Sequence, residues 1–361
     1  MQRSKRTETG EERPARLIDA VVQHIRKSEG EESSILTGEV AGAKDYLSTQ
    51  SLALDLALNM PGIPVGRLTV VRGWESSGKT SLITHLLAET VQRGGIAILL
   101  DAEFAFDESR AARLGLERED LLLAQPETME EAIRLVEKSI KAVRAETPDA
   151  LATIVWDSVG GTQTTAESEG EFGKEGQAIG QHAKIMSAAL RRIMPIVAKE
   201  NIVLIIVNQN KEIVETGGFR GAETSTMIAK RPLQFHASTI IDMQKGEELR
   251  HGGKDGPAYG IMSRVKISKN KCSNPFGKAL IRCTFDDGFD DDFAHFQAAL
   301  KLGMVVKKGS WYKLADVDES FHEADFGQIL ADAPGLRERI AAAAREEFWS
   351  ETVRKRFPEV T

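Results

Sequence analysis

Apolar residues along this chain fall into short unbroken runs that alternate with longer stretches repeating at three and four residues. Runs of that length bounded by turn-forming residues read as strands buried on both faces, and the 3.6-residue period reads as crossover helices. The runs predict strands at 68–72, 96–101, 153–157, 202–208 and 239–243, with a further strand at 262–268. Helices are expected at 129–145 and 179–199. The second carries Ile185, Met186, Ala189, Leu190, Ile193 and Val197 on one face, and Pro195 should kink it. Alternation of this kind from Leu52 to about Thr284 is the signature of an α/β fold with a mainly parallel sheet flanked by helices.

The two ends read differently. Residues 1 to about 14 are charged and polar, and 15–25 form an amphipathic helix (Leu17, Ile18, Val21, Val22, Ile25) with little core of its own. A Glu-, Ser- and Gly-rich linker follows, so packing on a neighbouring subunit and folding back on the same chain are both open. After Cys283 the run from Asp286 to Asp292 marks a loop or boundary, and 293–302 and 336–348 read as helices of a small C-terminal domain. The expected organisation is an N-terminal helix and linker at 1–47, a core at 48–285 and a C-terminal domain at 286–361.

Composition narrows the class without choosing a function. With 361 residues, 41% of them hydrophobic, the chain can bury a large core. No run of eighteen apolar residues occurs and the start lacks the apolar stretch of a secretory signal, so a cytoplasmic protein without membrane partners is expected. Cys272 and Cys283 are the only cysteines and make no CxxC pair, which excludes a structural zinc site built on cysteines. A net charge of −7 argues against global attraction to nucleic acid and leaves a local basic surface open.

The chemistry begins at Gly73-Trp74-Glu75-Ser76-Ser77-Gly78-Lys79-Thr80, a GxxxxGK[ST] phosphate loop between a strand and a helix. Backbone N–H groups and the helix N-terminus there can surround phosphate, Lys79 can reach the terminal phosphates and Thr80 can hold magnesium. The expected cofactors are ATP and Mg2+. Ligands bind at the carboxyl ends of strands in such sheets, so Glu103 after 96–101 is placed to face the nucleotide, where a base for water and a plain solvated carboxylate are both open to it, and Asp157 closing 153–157 is placed to hold magnesium with Thr80. A third strand ends in Asn208-Gln209, and a neutral amide at that height can hydrogen-bond the γ-phosphate when it is present and lose the bond when it leaves.

Two long polar stretches follow these strand ends. Residues 210–231 carry Lys211, Arg220, Lys230 and Arg231 and are too long for an ordinary connection. The stretch 167–176 contains Gly170, Phe172 and Gly173; it is acidic, so any nucleic-acid contact would use its backbone or Phe172, with cations from Lys184, Arg191 and Arg192 on the next helix. A solvated acidic loop is the other reading. Lys269 and Lys271 stand at i and i+2, pointing together in an extended segment and by parity sharing the face of Val265 and Ile267. Edge protection and convergence on a phosphate are both open to them.

Taken together, the phosphate loop, Asp101-Ala102-Glu103, Val155-Trp156-Asp157-Ser158-Val159, Glu169-Gly170-Glu171-Phe172-Gly173, Asn208-Gln209 and Lys269-Asn270-Lys271 resemble the bacterial RecA recombinase family and its phage-encoded relatives. The resemblance runs from about Ser48 to Phe276 in the same order, with Trp74 in place of the usual proline. It implies a RecA-like P-loop NTPase core that forms a helical filament on single-stranded DNA and exchanges strands with homologous duplex, with a single-strand-binding protein or loader as further candidate partners.

The resemblance assigns Glu103 as base and Gln209 as sensor, with Lys79 completing the catalytic set, and adds Ser81 and Asp107 to the ATP-binding residues. Lys269, Lys271 and Phe235 would act on the ATP of the adjacent subunit. Lys184, Ser187, Arg191, Lys211, Arg220, Lys230, Arg231, Gly170, Phe172 and Gly173 would face DNA. A RadA-type motor and a non-hydrolysing mediator are the alternatives; the absent four-cysteine module speaks against the first and the intact Glu103, Thr80 and Asp157 against the second.

Overall fold

The computed structural model describes residues 20–24, 27, 45–169, 180–212, 225–315 and 320–358. The chain divides into two units, 1–42 and 43–361; in the first, the described residues are helical. The second is organised by a nine-stranded sheet. Its strands, numbered here along the chain, are β1 (Arg67–Gly73), β2 (Ile96–Asp101), β3 (Leu121–Ala124), β4 (Ala152–Asp157), β5 (Ile202–Gln209), β6 (Thr239–Arg250), β7 (Ala258–Asn270), β8 (Lys278–Thr284) and β9 (Gly288–Phe289). Their spatial order is β9-β8-β7-β6-β1-β5-β4-β2-β3. The run from β6 to β3 is parallel throughout, and β7, β8 and β9 add antiparallel strands at one side.

The uninterrupted apolar strands are explained by burial on both faces. Val71, Leu99, Val155, Val203 and Ile205 face one core, under helix α2 (Lys79–Gln92). Leu68, Val70, Ile98, Ile154, Leu204 and Ile206 face the other, under α4 (Met129–Glu146) and α5 (Gln181–Lys199). Thr128 caps α4 by accepting from the Glu131 N–H at 3.2 Å. Pro195 lies inside α5 on its exposed side and the helix continues past it. A carbonyl freed there can be hydrated, which makes proline tolerable.

The expected strands are present, and β6 and β7 run past their expected ends as an antiparallel ribbon. Three strands of this sheet escaped the pattern: the two-residue β9, whose Gly288–Phe289 lies in the expected acidic loop, β8 and β3. In β8, Ile281 and Cys283 point inward between Leu280 and the half-buried Arg282 and Thr284, so charges and an exposed leucine hide the alternation. In β3 the edge position leaves Leu122 exposed.

The C-terminal layer contains α7 (Asp291–Lys301), a three-stranded sheet (Val305–Lys308, Trp311–Leu314, Ser320–Phe321), α8 (Phe326–Asp332), α9 (Leu336–Phe348) and α10 (Glu351–Arg356). Phe296, Phe326, Leu330 and Ile340 make its core, joined by Leu52 of α1 (Leu52–Leu58). The acidic run at its entrance is more structured than a plain loop. Asp290 caps α7 by accepting from the Phe293 N–H at 2.9 Å, Asp291 accepts from the Leu52 N–H at 2.7 Å, and Arg337 pairs with Asp291 and Asp292.

Candidate active site

The phosphate loop leaves β1 at Gly73, where a side chain would drive its Cβ to 2.1 Å from the Met243 carbonyl oxygen on β6. Ser76 (φ 54°) and Gly78 (φ 94°) adopt the left-handed conformation, turning the chain sharply into α2. The turn is held from below: Ser77 Oγ donates to the Trp74 carbonyl at 2.8 Å, and Ser263 Oγ of β7 donates to the Ser77 carbonyl at 2.7 Å. Lys79 Nζ donates to the Trp74 carbonyl at 2.7 Å. Burial pushes the Lys79 ammonium pKa down, against the opposing pull of Asp157, Glu103 and Glu75.

Helical geometry separates Thr80 from Ser81. Thr80 is exposed, whereas Ser81 turns inward, where its hydroxyl accepts from Arg110 Nη2 at 2.7 Å and lies 3.3 Å from Cys283 Sγ. Asp107 caps α3 (Glu108–Arg113), accepting from the Arg110 N–H at 3.0 Å, so these two residues meet through Arg110.

Three carboxylates gather at the ends of β2 and β4, where Asp101 and Asp157 are register partners. Asp101 accepts from the Ala105 and Phe106 N–H groups at 3.2 and 3.1 Å, folding the turn that presents Glu103. Glu103 Oε1 accepts from Gln209 Nε2 at 2.7 Å and from the Ser158 hydroxyl. Gly161 stands so close behind that a Cβ there would lie 3.0 Å from Glu103 Cγ. Burial, then repulsion from Glu103, pushes the Asp157 carboxyl up to about 7, with Lys79 pulling the other way. A half-buried carboxylate crowded by other carboxylates suits a divalent cation. Among the described residues, no group of three or more His, Cys, Asp or Glu is arranged to hold a metal ion by itself, so an ion held at Asp157 and Thr80 would take its remaining ligands from phosphate and water, as Mg2+ does.

A second patch lies across the sheet. Lys269 donates to the Gln234 carbonyl, and Lys271 donates to the Phe235 carbonyl at 3.2 Å, both at the C-terminal end of α6 (Lys230–His236). Carbonyls at a helix C-terminus attract cations. Phe235 itself is 75% exposed. The parity expectation fails here: Ile240 pairs with Lys269 and Ile241 with Ile267, so Ser268 is an extra residue in β7. This bulge turns Lys269 to the face of Ile240, opposite Val265 and Ile267, and Asn270 is buried instead.

Lys184 and Arg191 are exposed on α5, with the half-buried Ser187 between them on the same stripe, and Arg192 pairs with Glu137 at 2.7 Å. At the start of α6, Arg231 is exposed and Lys230 half-buried. Lys211 enters a two-residue ladder, Lys211–Glu212 against Ser225–Thr226. Gly170, Phe172, Gly173 and Arg220 lie outside the described residues. Sequence reasoning gave no role to Ser158, Asp101, Gly161, Ser263 or Arg110. Asp101 and Ser158 flank residues already singled out; the others act through contacts distant in sequence.

The model of the RecA N-terminal domain matches residues 16–290. The chain belongs to the RecA family. It is 35% identical over 338 residues to Protein RecA of Thermus thermophilus, covering 93% of this chain and 95% of that protein. Protein RecA of Bifidobacterium longum is 33% identical over 332 residues (92% and 80%), and that of Helicobacter hepaticus is 33% identical over 341 residues (94% and 95%). This RecA-family chain is accordingly a P-loop ATPase and an ATP-dependent DNA recombinase, and the mainly parallel sheet is the fold expected of it. Among the described residues, no helix is long and apolar enough to cross a membrane.

Proposed function

We propose that this recombinase hydrolyses ATP at the end of its parallel sheet, with Glu103 as the base and Gln209 as the sensor of the γ-phosphate. The observation that carries this reading is the hydrogen bond from Gln209 Nε2 to Glu103 Oε1, made beside the phosphate loop. That bond leaves Glu103 Oε2 to accept a proton from water, and a γ-phosphate contact made by Gln209 would compete with it. The loop amides and Lys79 bind and orient the phosphates, while Thr80 and Asp157 hold Mg2+. When bound, Mg2+ neutralises charge on the phosphate oxygens.

Lys269, Lys271 and Phe235 serve the nucleotide of the next protomer. Both ammonium groups end at the carbonyls around one exposed phenylalanine, and this supports a shared contact better than two separate surface lysines do. Single-stranded DNA lies along α5 and the start of α6, contacted by Lys184, Ser187, Arg191, Lys230 and Arg231, with Lys211, Arg220, Gly170, Phe172 and Gly173 in the two polar stretches. A groove repeated along a filament collects phosphate contacts that a net charge of −7 would otherwise oppose.

Negative-stain microscopy with single-stranded DNA and a non-hydrolysable ATP analogue tests this reading together with the ATPase rate with and without DNA. Helical filaments and DNA-stimulated turnover are expected. Closed hexamers that unwind duplex without pairing it would replace the reading with a motor.

A further inference from the structure

Arg72 is the last residue before the phosphate loop, and its side chain leaves the nucleotide face. Register pairs it with Asn208 on β5 and with Asp242 on β6, so the three side chains form a row on the face opposite α2. Its guanidinium engages Asp242 through both Nε and Nη2, the latter at 3.2 Å from Oδ2. The same Nη2 lies 3.4 Å from Ser268 Oγ, and Nη1 lies 4.0 Å from Met227 Sδ. Beside it, Asn208 Nδ2 donates to the Ile228 carbonyl at 2.7 Å. Ser268 is the extra residue of β7 that turns Lys269 toward Phe235, and Met227 follows the strand that closes the second polar stretch.

We propose that Arg72 is a positioning residue that ties the phosphate-loop strand to the Lys269–Lys271–Phe235 patch and to the returning end of the second polar stretch. The proposal rests on the in-trans reading of that patch given above. A guanidinium presents donors in a fixed plane, so one side chain can fix three elements relative to one another, which a lysine cannot do. Half-buried ion pairs contribute little net stability, so the consequence of this one is geometric. Register links it directly to the chemistry: Gly73 pairs with Gln209 one residue further along the same strands. A displacement at the phosphate loop therefore reaches the bulge, and through it the lysines, by one rigid side chain.

Arg72→Met and Arg72→Lys test this against the parent protein. For Arg72→Met, affinity of free protomers for a non-hydrolysable ATP analogue should stay within about twofold, while the DNA-stimulated rate should fall by about tenfold or more and half-saturation by ATP should move upward. Arg72→Lys keeps a charge opposite Asp242 but not the planar fork, so it should recover only part of the rate. Stimulated turnover within about twofold of the parent in Arg72→Met would overturn the proposal, and so would a loss of analogue binding in proportion to rate, which is what simple sheet damage produces. A parent that DNA does not stimulate would instead overturn the in-trans reading itself, and the junction with it.

Discussion

Glu103 and Gln209 belong to strand ends 106 residues apart and meet in a 2.7 Å hydrogen bond across the end of β4. The strand they bridge ends in Asp157, and the next residue, Ser158, donates to the same Glu103 oxygen. The proposed base and sensor thus share one short network, anchored at the residue that follows Asp157.

Glu103→Gln keeps the shape and removes the proton acceptor. ATP and DNA binding should persist while turnover falls by a factor on the order of 10² or more. Single-turnover hydrolysis measures this, and parental rates would show that Glu103 is not the base.

Lys79→Ala should abolish productive nucleotide binding, because the loop loses the one ammonium that it buries. Equilibrium titration with a fluorescent ATP analogue reads the outcome directly. Unchanged affinity would contradict the role.

Lys269→Ala combined with Lys271→Ala should leave ATP binding by free protomers intact and remove DNA-stimulated hydrolysis. Normal stimulated turnover in the double variant would return the lysines to edge protection.

Asp157 provides a pH signature in the nucleotide-free, metal-free protein. Its folded pKa of about 7 lies above the ordinary 3.8, so the folded state holds a proton that the unfolded state releases between those values. Its contribution is favourable below about 4 and is lost as pH rises through 7. Asp157→Asn has no such loss, so its melting temperature relative to the parent should be higher at pH 8 than at pH 5. A difference independent of pH would refute the assignment.

His85 has the opposite slope. Its Nε2 accepts from the Phe289 N–H at 2.9 Å, so in the neutral ring Nδ1 carries the proton and donates to Gln50 Oε1 at 2.9 Å. Burial first, then Arg110, pushes its pKa down to about 4. The folded state stays neutral where the unfolded state protonates, so stability present above 6.5 is lost as pH falls toward 4, by about 3 kcal/mol in all. Urea titrations of His85→Gln should show a deficit of about 1–2 kcal/mol at pH 7 that narrows at pH 5. A deficit that widens in acid would contradict the neutral state.

The sequence made the interior parallel strands legible because burial on both faces leaves few polar residues to confuse the run, as in Ile202 to Val207. Strand ends then placed Glu103, Asp157 and Gln209, since carboxyl ends of parallel strands share one side of the sheet. Lys269 was misplaced because alternation cannot reveal an inserted residue, and the register shift depends on the partner strand. Arg110 and Ser263 were invisible for a related reason: each acts on the phosphate-loop region from an element brought near only by the fold.

The small ladder between Lys211–Glu212 and Ser225–Thr226 has a bearing on how such a chain can change. It clamps both stems of the segment between them, so the ends of that segment are held together whatever its length. Closing a longer loop between fixed ends costs little extra entropy, about 0.6 kcal/mol per doubling. Insertions, deletions or whole exchanges within residues 213–224 should therefore leave Gln209 in register with Gly73. Exchange of the segment should alter the DNA contacts proposed for Arg220 while the strand register behind it stays constant.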